Sequence, residues 1–285
     1  MEPVTGAAIP GVAVKLVVSD VDGTLLDPQK KLTPGAPAAV QRLYAAGIRF
    51  TLTSARPPRL TRDLVQALQI KEPLACFNGA LFIKPDGSVL RELEMLPGDA
   101  QTVANRIRAL GLDLWLFTSS EWYISNPTGA RVAHHEGLWG GKATPLPTYD
   151  MAQFHVLKLV GVSDDYDAVA HAEAEINSLS GLTISATRSA PYYLDVTHAR
   201  ANKGEVIITL SEMLKVPREQ IATLGDMDTD VLGFRQARIS IAMGNALNNV
   251  KAAATYVTKS NTEDGFAWAI DHFILQAANL RVAAD

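Results

Sequence analysis

Val17-Val18-Ser19-Asp20-Val21-Asp22-Gly23-Thr24-Leu25-Leu26-Asp27 is the stretch on which the fold turns. The mostly apolar run from Val14 to Val18 predicts a buried strand. It ends in two carboxylates, Asp20 and Asp22, and then a Gly-Thr turn. Strand residues two apart point the same way, so both carboxylates would gather at the mouth of a sheet. Like charges that close are costly unless a cation neutralises them or one is protonated. A plain solvated turn also uses Asp and Gly. The order Asp-x-Asp-Gly-Thr, between an apolar strand and Leu25-Leu26, argues for the charged site instead.

Outward from that stretch, the chain alternates. A helix is predicted from Thr33-Pro34 to Gly47, then a strand over Ile48–Thr53 ending at Ser54-Ala55-Arg56-Pro57. Pro57-Pro58 opens another helix, and Pro73–Phe77 is a short strand closed by Asn78-Gly79. Strand-helix-strand-helix-strand predicts an α/β fold with a parallel sheet covered on both faces. The rhythm then changes. Ala80–Ile83 and Val89–Leu93 flank a Pro85-Asp86-Gly87 turn. Helices over Gly98–Leu110, Arg131–Leu138 and Ala168–Leu179 mix with strands over Leu112–Thr118, Trp122–Ser125, Phe154–Val162, Leu182–Ala186 and Tyr192–Val196. Gly140–Tyr149 is expected as loop. This middle reads as an α+β module inserted into the α/β one. From Asn202-Lys203-Gly204 the first rhythm resumes, with strands over Ile221–Leu224, Ile239–Met243 and Tyr256–Thr258 and a terminal helix from Asp264. The expected division is a discontinuous core, 1–83 and 190–285, with an insertion over 84–189.

Bulk properties narrow the classes. The length of 285 residues suits about two domains. Hydrophobic content of 47% is ample for packed cores. A net charge of -4 and a pI near 5.9 carry no basic footprint, so nucleic acid is not an expected partner. The single cysteine, Cys76, excludes an internal disulfide and lies in an apolar run, as a buried structural thiol would. Met1–Ala13 lacks the form of a secretory signal, and no apolar stretch has the length of a membrane span. A soluble cytoplasmic protein is the expectation, and no motif fixes its oligomeric state.

In open α/β sheets, ligands bind beyond the carboxyl ends of the strands. Asp20, Asp22, Ser54, Asp226 and Asp230 all follow predicted strands, and Lys203 opens a helix. Converging carboxylates suit a hard cation, and Mg²⁺ is the usual partner of phosphate. A lysine and a hydroxyl beside it suit a phosphoryl group, whose transfer depends on positioning and charge neutralisation.

Asp20-Val21-Asp22-Gly23-Thr24 resembles the first motif of the haloacid dehalogenase-like phosphatases. Ser54 resembles the second motif, Lys203 the third, and Gly225-Asp226 with Asp230 the fourth. The insertion between Ser54 and Lys203 is similar to the α/β cap of the Cof-type branch, as are Phe77-Asn78-Gly79-Ala80, Ala242-Met243-Gly244-Asn245-Ala246 and Glu263-Asp264-Gly265. The resemblance implies a Rossmann-like core with a cap, hydrolysing a small phosphomonoester, a sugar phosphate or a phosphorylated cofactor, with Mg²⁺ through an aspartyl-phosphate. It makes Asp20 the nucleophile and Asp22 the general acid and base. It has Asp20, the backbone carbonyl of Asp22 and Asp226 hold the metal, with Asp230 orienting Lys203 or a metal-bound water. It has Ser54, Lys203 and backbone N–H groups near Val21 hold the phosphoryl oxygens, beside Ala55 and Thr229. Asn78 and Asn245 are candidates to touch substrate.

Two residues depart from the branch. Its second motif is usually Thr-Gly-Arg, where this chain has Ser54-Ala55-Arg56, and Ala55 would resist a positive φ. Its fourth usually has Asn before the last Asp, where this chain has Thr229. Arg56 is expected to pair with a carboxylate, Trp115 to pack in a core, Trp139 to be exposed or to face substrate, and Asp195 to sit near the domain junction with its role open. His134-His135 reads as a solvated pair. His155, His171, His198 and His272 lack zinc-type spacing. A phosphomutase on the same scaffold would pass the phosphoryl group to a second hydroxyl. A phospho-acceptor signalling domain would keep it on Asp20, but such domains need no large insertion.

Overall fold

The computed structural model describes residues 13–276, so the reading of the N-terminal segment lies almost wholly outside the described residues. The chain opens with β1 (Leu16–Ser19), whose four residues are all buried. Then come α1 (Ala36–Ala45), β2 (Arg49–Leu52), α2 (Arg62–Ala67) and β3 (Leu74–Cys76). A hairpin follows, β4 (Leu81–Ile83) with β5 (Val89–Glu92). Next are α3 (Pro97–Ala109), β6 (Asp113–Phe117), β7 (Trp122–Ile124), α4 (Val132–Trp139) and β8 (Thr144–Pro145). They lead to β9 (Lys158–Val162), α5 (Tyr166–Asn177), β10 (Ile184–Ala190) and β11 (Tyr193–His198). The last run is α6 (Lys203–Leu214), β12 (Ile221–Gly225), α7 (Asp228–Phe234), β13 (Ile239–Ala242), α8 (Asn248–Ala253), β14 (Tyr256–Val257) and α9 (Gly265–Ala269).

Five strands form a parallel sheet in the order β14-β13-β12-β1-β2. Strand alternation explains why Leu16, Val17 and Val18 of β1 are all apolar. Val17 packs with Val40 and Leu43 of α1 and Phe266 of α9. Leu16 and Val18 face the other way, onto Val206, Ile207 and Leu210 of α6. A strand covered on both faces disfavours charged side chains until it leaves the sheet, and the buried Ser19 hydroxyl is satisfied locally by Asp20 O at 2.8 Å. Its first free position is the Asp20 end.

Two expectations are corrected. Strand β3 is bridged to this sheet at Thr53–Ala75 but pairs antiparallel with β4, forming a separate sheet β3-β4-β5. Thr144 and Pro145, expected in a loop, pair with β7. Strand β11, read as one of the strands of the inserted module, is hydrogen-bonded between β10 and β9 in the second large sheet.

That second sheet has six strands, β10-β11-β9-β6-β7-β8. On one face Leu114, Leu116, Leu159, Leu194 and Val196 pack under α3 and α5. On the other face Trp115, Phe117 and Val160 join the apolar cluster of the parallel sheet. The period of two thus sends one set of side chains to the helices and the other toward the strand ends of the core.

Candidate active site

Asp20 follows β1 directly, and its N–H donates to Leu224 O of β12 at 3.0 Å. Lys203 is the first residue of α6, whose N-terminus is closed by Asn202 accepting from the Glu205 N–H at 3.0 Å. From there the Lys203 Nζ reaches Asp20 Oδ1 at 2.6 Å and Asp230 Oδ1 at 2.5 Å. Asp230 is fixed in turn, its Oδ2 accepting from the backbone N–H groups of Asp226 and Met227 at 3.1 and 2.9 Å. Asp226 accepts from Thr24 Oγ1 at 3.2 Å. Three distant parts of the chain thus close into one network, with Asp20, Lys203 and Asp230 buried and Asp226 half-buried.

The network leans negative. Oxygen atoms of Asp20, Asp226 and Asp230 lie within 4.8 Å of one another. Burial, with Asp230 and Asp226 adding to it against the pull of Lys203, pushes Asp20 up to about 8. Burial and Asp230 push Asp226 up to about 6. Burial disfavours the Lys203 ammonium, but Asp20 and Asp230 outweigh it and raise its pKa. Crowded, desolvated carboxylate oxygens are the donor set a hard divalent cation takes. The backbone makes room for the Asp226 carboxylate: Gly23 has φ +86°, and a Cβ there would stand 2.2 Å from Asp226 Oδ2. Asp230 is committed through both oxygens, to Lys203 and to two N–H groups, whereas Asp20 gives only Oδ1 to Lys203. The residues present fit Mg²⁺.

Asp22 is treated differently although it is two residues away. Its carboxylate takes the Arg56 Nε and Nη2 at 2.7 Å each and Lys30 Nζ at 2.7 Å. Burial acts to raise it, but these two cations outweigh burial and hold it at about 2. Arg56 pairs with a carboxylate as expected. Lys30 was not anticipated; it comes from a turn in which Lys30 N donates to Asp27 O at 2.9 Å.

Asp20, Asp22, Ser54, Ala55, Asn78 and Thr229 line one cleft of about 340 Å³. Ser54 is buried, with its Oγ accepting from the Arg56 N–H at 3.2 Å. Ala55 does not adopt a positive φ, so the alanine fits its turn without strain. Asn78 does, at 55°, as part of a loop tied to Ser54 O through its own N–H. Val21 is buried, and its carbonyl accepts from Leu25 and Leu26 at 3.0 Å each. Asn245 lies off the cleft: its Nδ2 donates to Gly23 O at 3.0 Å and its Oδ1 accepts from Asn261 N at 3.0 Å.

The far wall of the cleft comes from the second sheet, where Phe117, Lys158 and Tyr193 had not been anticipated and Asp195 falls at the junction as expected. Trp115, Phe117, His135, Lys158, Tyr193 and Asp195 all line it. Trp115 is buried as expected, but its ring also faces the cleft. Trp139, expected to be exposed or to face substrate, packs on Trp122 and Phe117 with Arg59 over its ring. His134 is exposed, whereas His135 sits among Trp115, Trp122 and Tyr193. The readable signal was strand parity: Trp115, Val160 and Asp195 are cross-strand neighbours once the register is known.

A parallel sheet with paired aspartates, a buried lysine and a cation-ready carboxylate cluster at its strand ends defines a hydrolase of the phosphoryl-transfer type. Residues 17–270 match the family model for haloacid dehalogenase-like hydrolases, and the chain belongs to that family. It is 24% identical over 288 residues to the 5-amino-6-(5-phospho-D-ribitylamino)uracil phosphatase YwtE of Bacillus subtilis, covering 92% of this chain and 98% of that one. It is 25% identical over 238 residues to the HMP-PP phosphatase of Cronobacter sakazakii, covering 84% and 87%. A crystal structure of a haloacid dehalogenase-like hydrolase from Bacteroides thetaiotaomicron superposes with a TM-score of 0.79 at 26% identity, covering 90% and 98%. Among the described residues no helix is long and apolar enough to cross a membrane.

Proposed function

We propose that this enzyme is a Mg²⁺-dependent phosphatase that hydrolyses small phosphomonoesters through an aspartyl-phosphate on Asp20. The observation that carries the reading is the Asp20–Lys203–Asp230 network beside Asp226, at the mouth of a cleft that Asp22 and Ser54 also line. The named relatives act on small phosphorylated compounds, which supports the same substrate class. The single buried cysteine is in keeping with a cytoplasmic setting.

A carboxylate oxygen of Asp20 attacks phosphorus, the bond to the leaving oxygen breaks, and Asp22 gives that oxygen its proton. A water molecule then attacks the same phosphorus while Asp22 takes its proton, which frees phosphate and restores the Asp20 carboxylate. Asp20, Asp226 and the backbone carbonyl of Asp22 would hold Mg²⁺, which would supply the positive charge that keeps Asp20 ionised and offsets the phosphoryl oxygens. Ser54, Lys203 and N–H groups near Val21 hold those oxygens, with Ala55 and Thr229 shaping the cleft around them. Asp22 is a carboxylate while Arg56 and Lys30 grip it. An incoming phosphate dianion competes for both cations, which releases Asp22 to take up a proton. In this reading Asn245 supports the metal loop, and Asn78 faces substrate. The inserted unit runs from the end of β5 through β11 and acts as a cap that excludes bulk water.

Asp20→Asn tests the assignment. Phosphate release from p-nitrophenyl phosphate should fall by at least about 10³-fold, the order seen when a nucleophile is removed. The circular dichroism spectrum should stay unchanged. Full activity in that variant would falsify the role given to Asp20.

A further inference from the structure

The inserted unit rests on the core at two places, and both lie beside Ser54-Ala55-Arg56. Phe77 of the core meets Phe117 of β6 with ring centroids 5.7 Å apart, and the two residues are 1% and 3% exposed. Arg59, in the turn Pro58–Thr61, donates from Nη2 to Gly140 O at 3.0 Å and lies over the Trp139 ring at 5.6 Å. Gly140 closes α4, so the guanidinium meets the negative end of that helix. Trp139 in turn packs on Phe117, with 6.2 Å between centroids. Arg59, Trp139, Phe117 and Phe77 therefore make one run of contacts that leaves the core, crosses the inserted unit and returns to the core.

Both core ends of that run are tied to Ser54-Ala55-Arg56. Pro57 and Pro58 join Arg56 to Arg59, and two successive prolines fix both φ angles of the link. At the other end the Phe77 N–H donates to Arg56 O at 3.1 Å, and the Asn78 N–H donates to Ser54 O at 2.8 Å. Phe77 makes its bond with φ at 50°, a conformation that bulky residues rarely take. Such strain persists only where the surroundings over-determine it. The ring closed against Phe117 is part of what does so here. Arg59 is exposed and stands outside the residues that line the cleft, so its bond to Gly140 is not explained by substrate contact.

Resting on the phosphatase reading, we propose that the cap clamps the phosphate-binding loop from both sides, with Arg59 and Phe77 as positioning residues that carry cap docking to Ser54. When the cap lifts, Phe77 loses the ring contact that supports its backbone, and the bonds to Ser54 O and Arg56 O loosen. A lid that only met the leaving group would matter for large esters alone. A clamp on the loop matters equally for an ester too small to reach the cap.

The test compares wild type, Arg59→Ala and Arg59→Lys on acetyl phosphate and on a hexose phosphate, all with Mg²⁺. Arg59 is exposed, so its removal leaves the cores intact. In Arg59→Ala, kcat/KM should fall about three- to fivefold for both substrates, the scale of one exposed cation–ring contact. Arg59→Lys keeps a donor for Gly140 O and should recover part of the loss. Hydrogen exchange over residues 74–80 reads the clamp without turnover. The amides of Phe77 and Asn78 should exchange faster in Arg59→Ala, although that side chain belongs to a different segment. A loss confined to the hexose phosphate overturns the proposal, and so does exchange equal to that of the wild type. Faster exchange in the variant, with no hydrolysis of either ester by the wild type, keeps the clamp and overturns the phosphatase reading. Undiminished hydrolysis of acetyl phosphate in Arg59→Ala with unchanged exchange does the reverse.

Discussion

Asp20 and Asp22 are chemically identical and two residues apart, yet their surroundings separate them. Asp20 is buried against Lys203 and two further carboxylates; Asp22 is half-buried between Arg56 and Lys30. A sequence pattern sees two aspartates, and only packing distinguishes the crowded one from the cation-paired one. His135 makes the same point for a base. Burial first, then the nearby Lys158 ammonium, hold its imidazole down at about 4, against an ordinary 6.5. A base with a depressed folded pKa binds fewer protons folded than unfolded. Stability is therefore unaffected above the unfolded pKa and is lost as pH falls from there through the folded one. The shift corresponds to about 3 kcal/mol at most. His135→Phe should escape this loss. Urea midpoints of wild type and variant, compared at about pH 7 and about pH 4, should diverge in the variant's favour on the acid side. Parallel curves would place His135 outside the pH response. The residue was legible as part of a His-His pair but not as a buried ring. Its helix shows no strong apolar stripe, and the cage around it comes from three other elements.

At the scale of elements, the helix α6 converts a common residue into an unusual one. Lys203 would be an ordinary surface lysine anywhere else. Here the Asn202 side chain caps the helix, so that Lys203 starts its first turn with Nζ directed between Asp20 and Asp230. Asn202→Ala should cost about 1 kcal/mol in urea unfolding, the usual value of such a cap. It should also lower kcat/KM several-fold, because the first turn would no longer hold Lys203 still. Asn202→Asp, which keeps the acceptor, should recover most of both losses. A variant that loses stability with no change in kcat/KM would separate the cap from the positioning of Lys203. The order of elements was readable because each strand-helix alternation leaves its period in the sequence. What was not readable is where sheets divide. Leu74-Ala75-Cys76 is as apolar as β1, but it turns back on β4 after Phe77, Asn78 and Gly79 all take positive φ. Nothing in the apolar run itself specifies that reversal. Tyr193–His198 likewise alternates as any strand does, and its partners β9 and β10 are a matter of register.

For the whole molecule, the core and the six-stranded sheet meet across a cleft whose charged end is out of balance. Three carboxyl groups, Asp20, Asp226 and Asp230, crowd around the one ammonium of Lys203 among the described residues of the network, so that Asp20 and Asp226 are driven toward holding protons in place of a counterion. The fold bears this strain because the loops that carry the carboxylates are pinned elsewhere. Asn261 binds Leu26 O and Asn245, and Asn245 binds Gly23 O. Gly225, at the end of β12, leaves room for Asp230, whose Cγ a Cβ there would meet at 2.1 Å. A scaffold that holds like charges together without their counterion should gain stability when the counterion arrives. Mg²⁺ at a hundredfold excess over its Kd should add about 2.7 kcal/mol, which raises the melting temperature on the order of 5 °C. Asp226→Asn should remove that response. It should also melt a few degrees higher than wild type in EDTA, since it deletes one of the crowded charges without changing the side chain's shape. Melting curves of both proteins, with EDTA and with Mg²⁺, give all four values. A wild type indifferent to Mg²⁺, or an Asp226→Asn protein less stable than wild type in EDTA, would mean that the carboxylates are balanced by the protein alone.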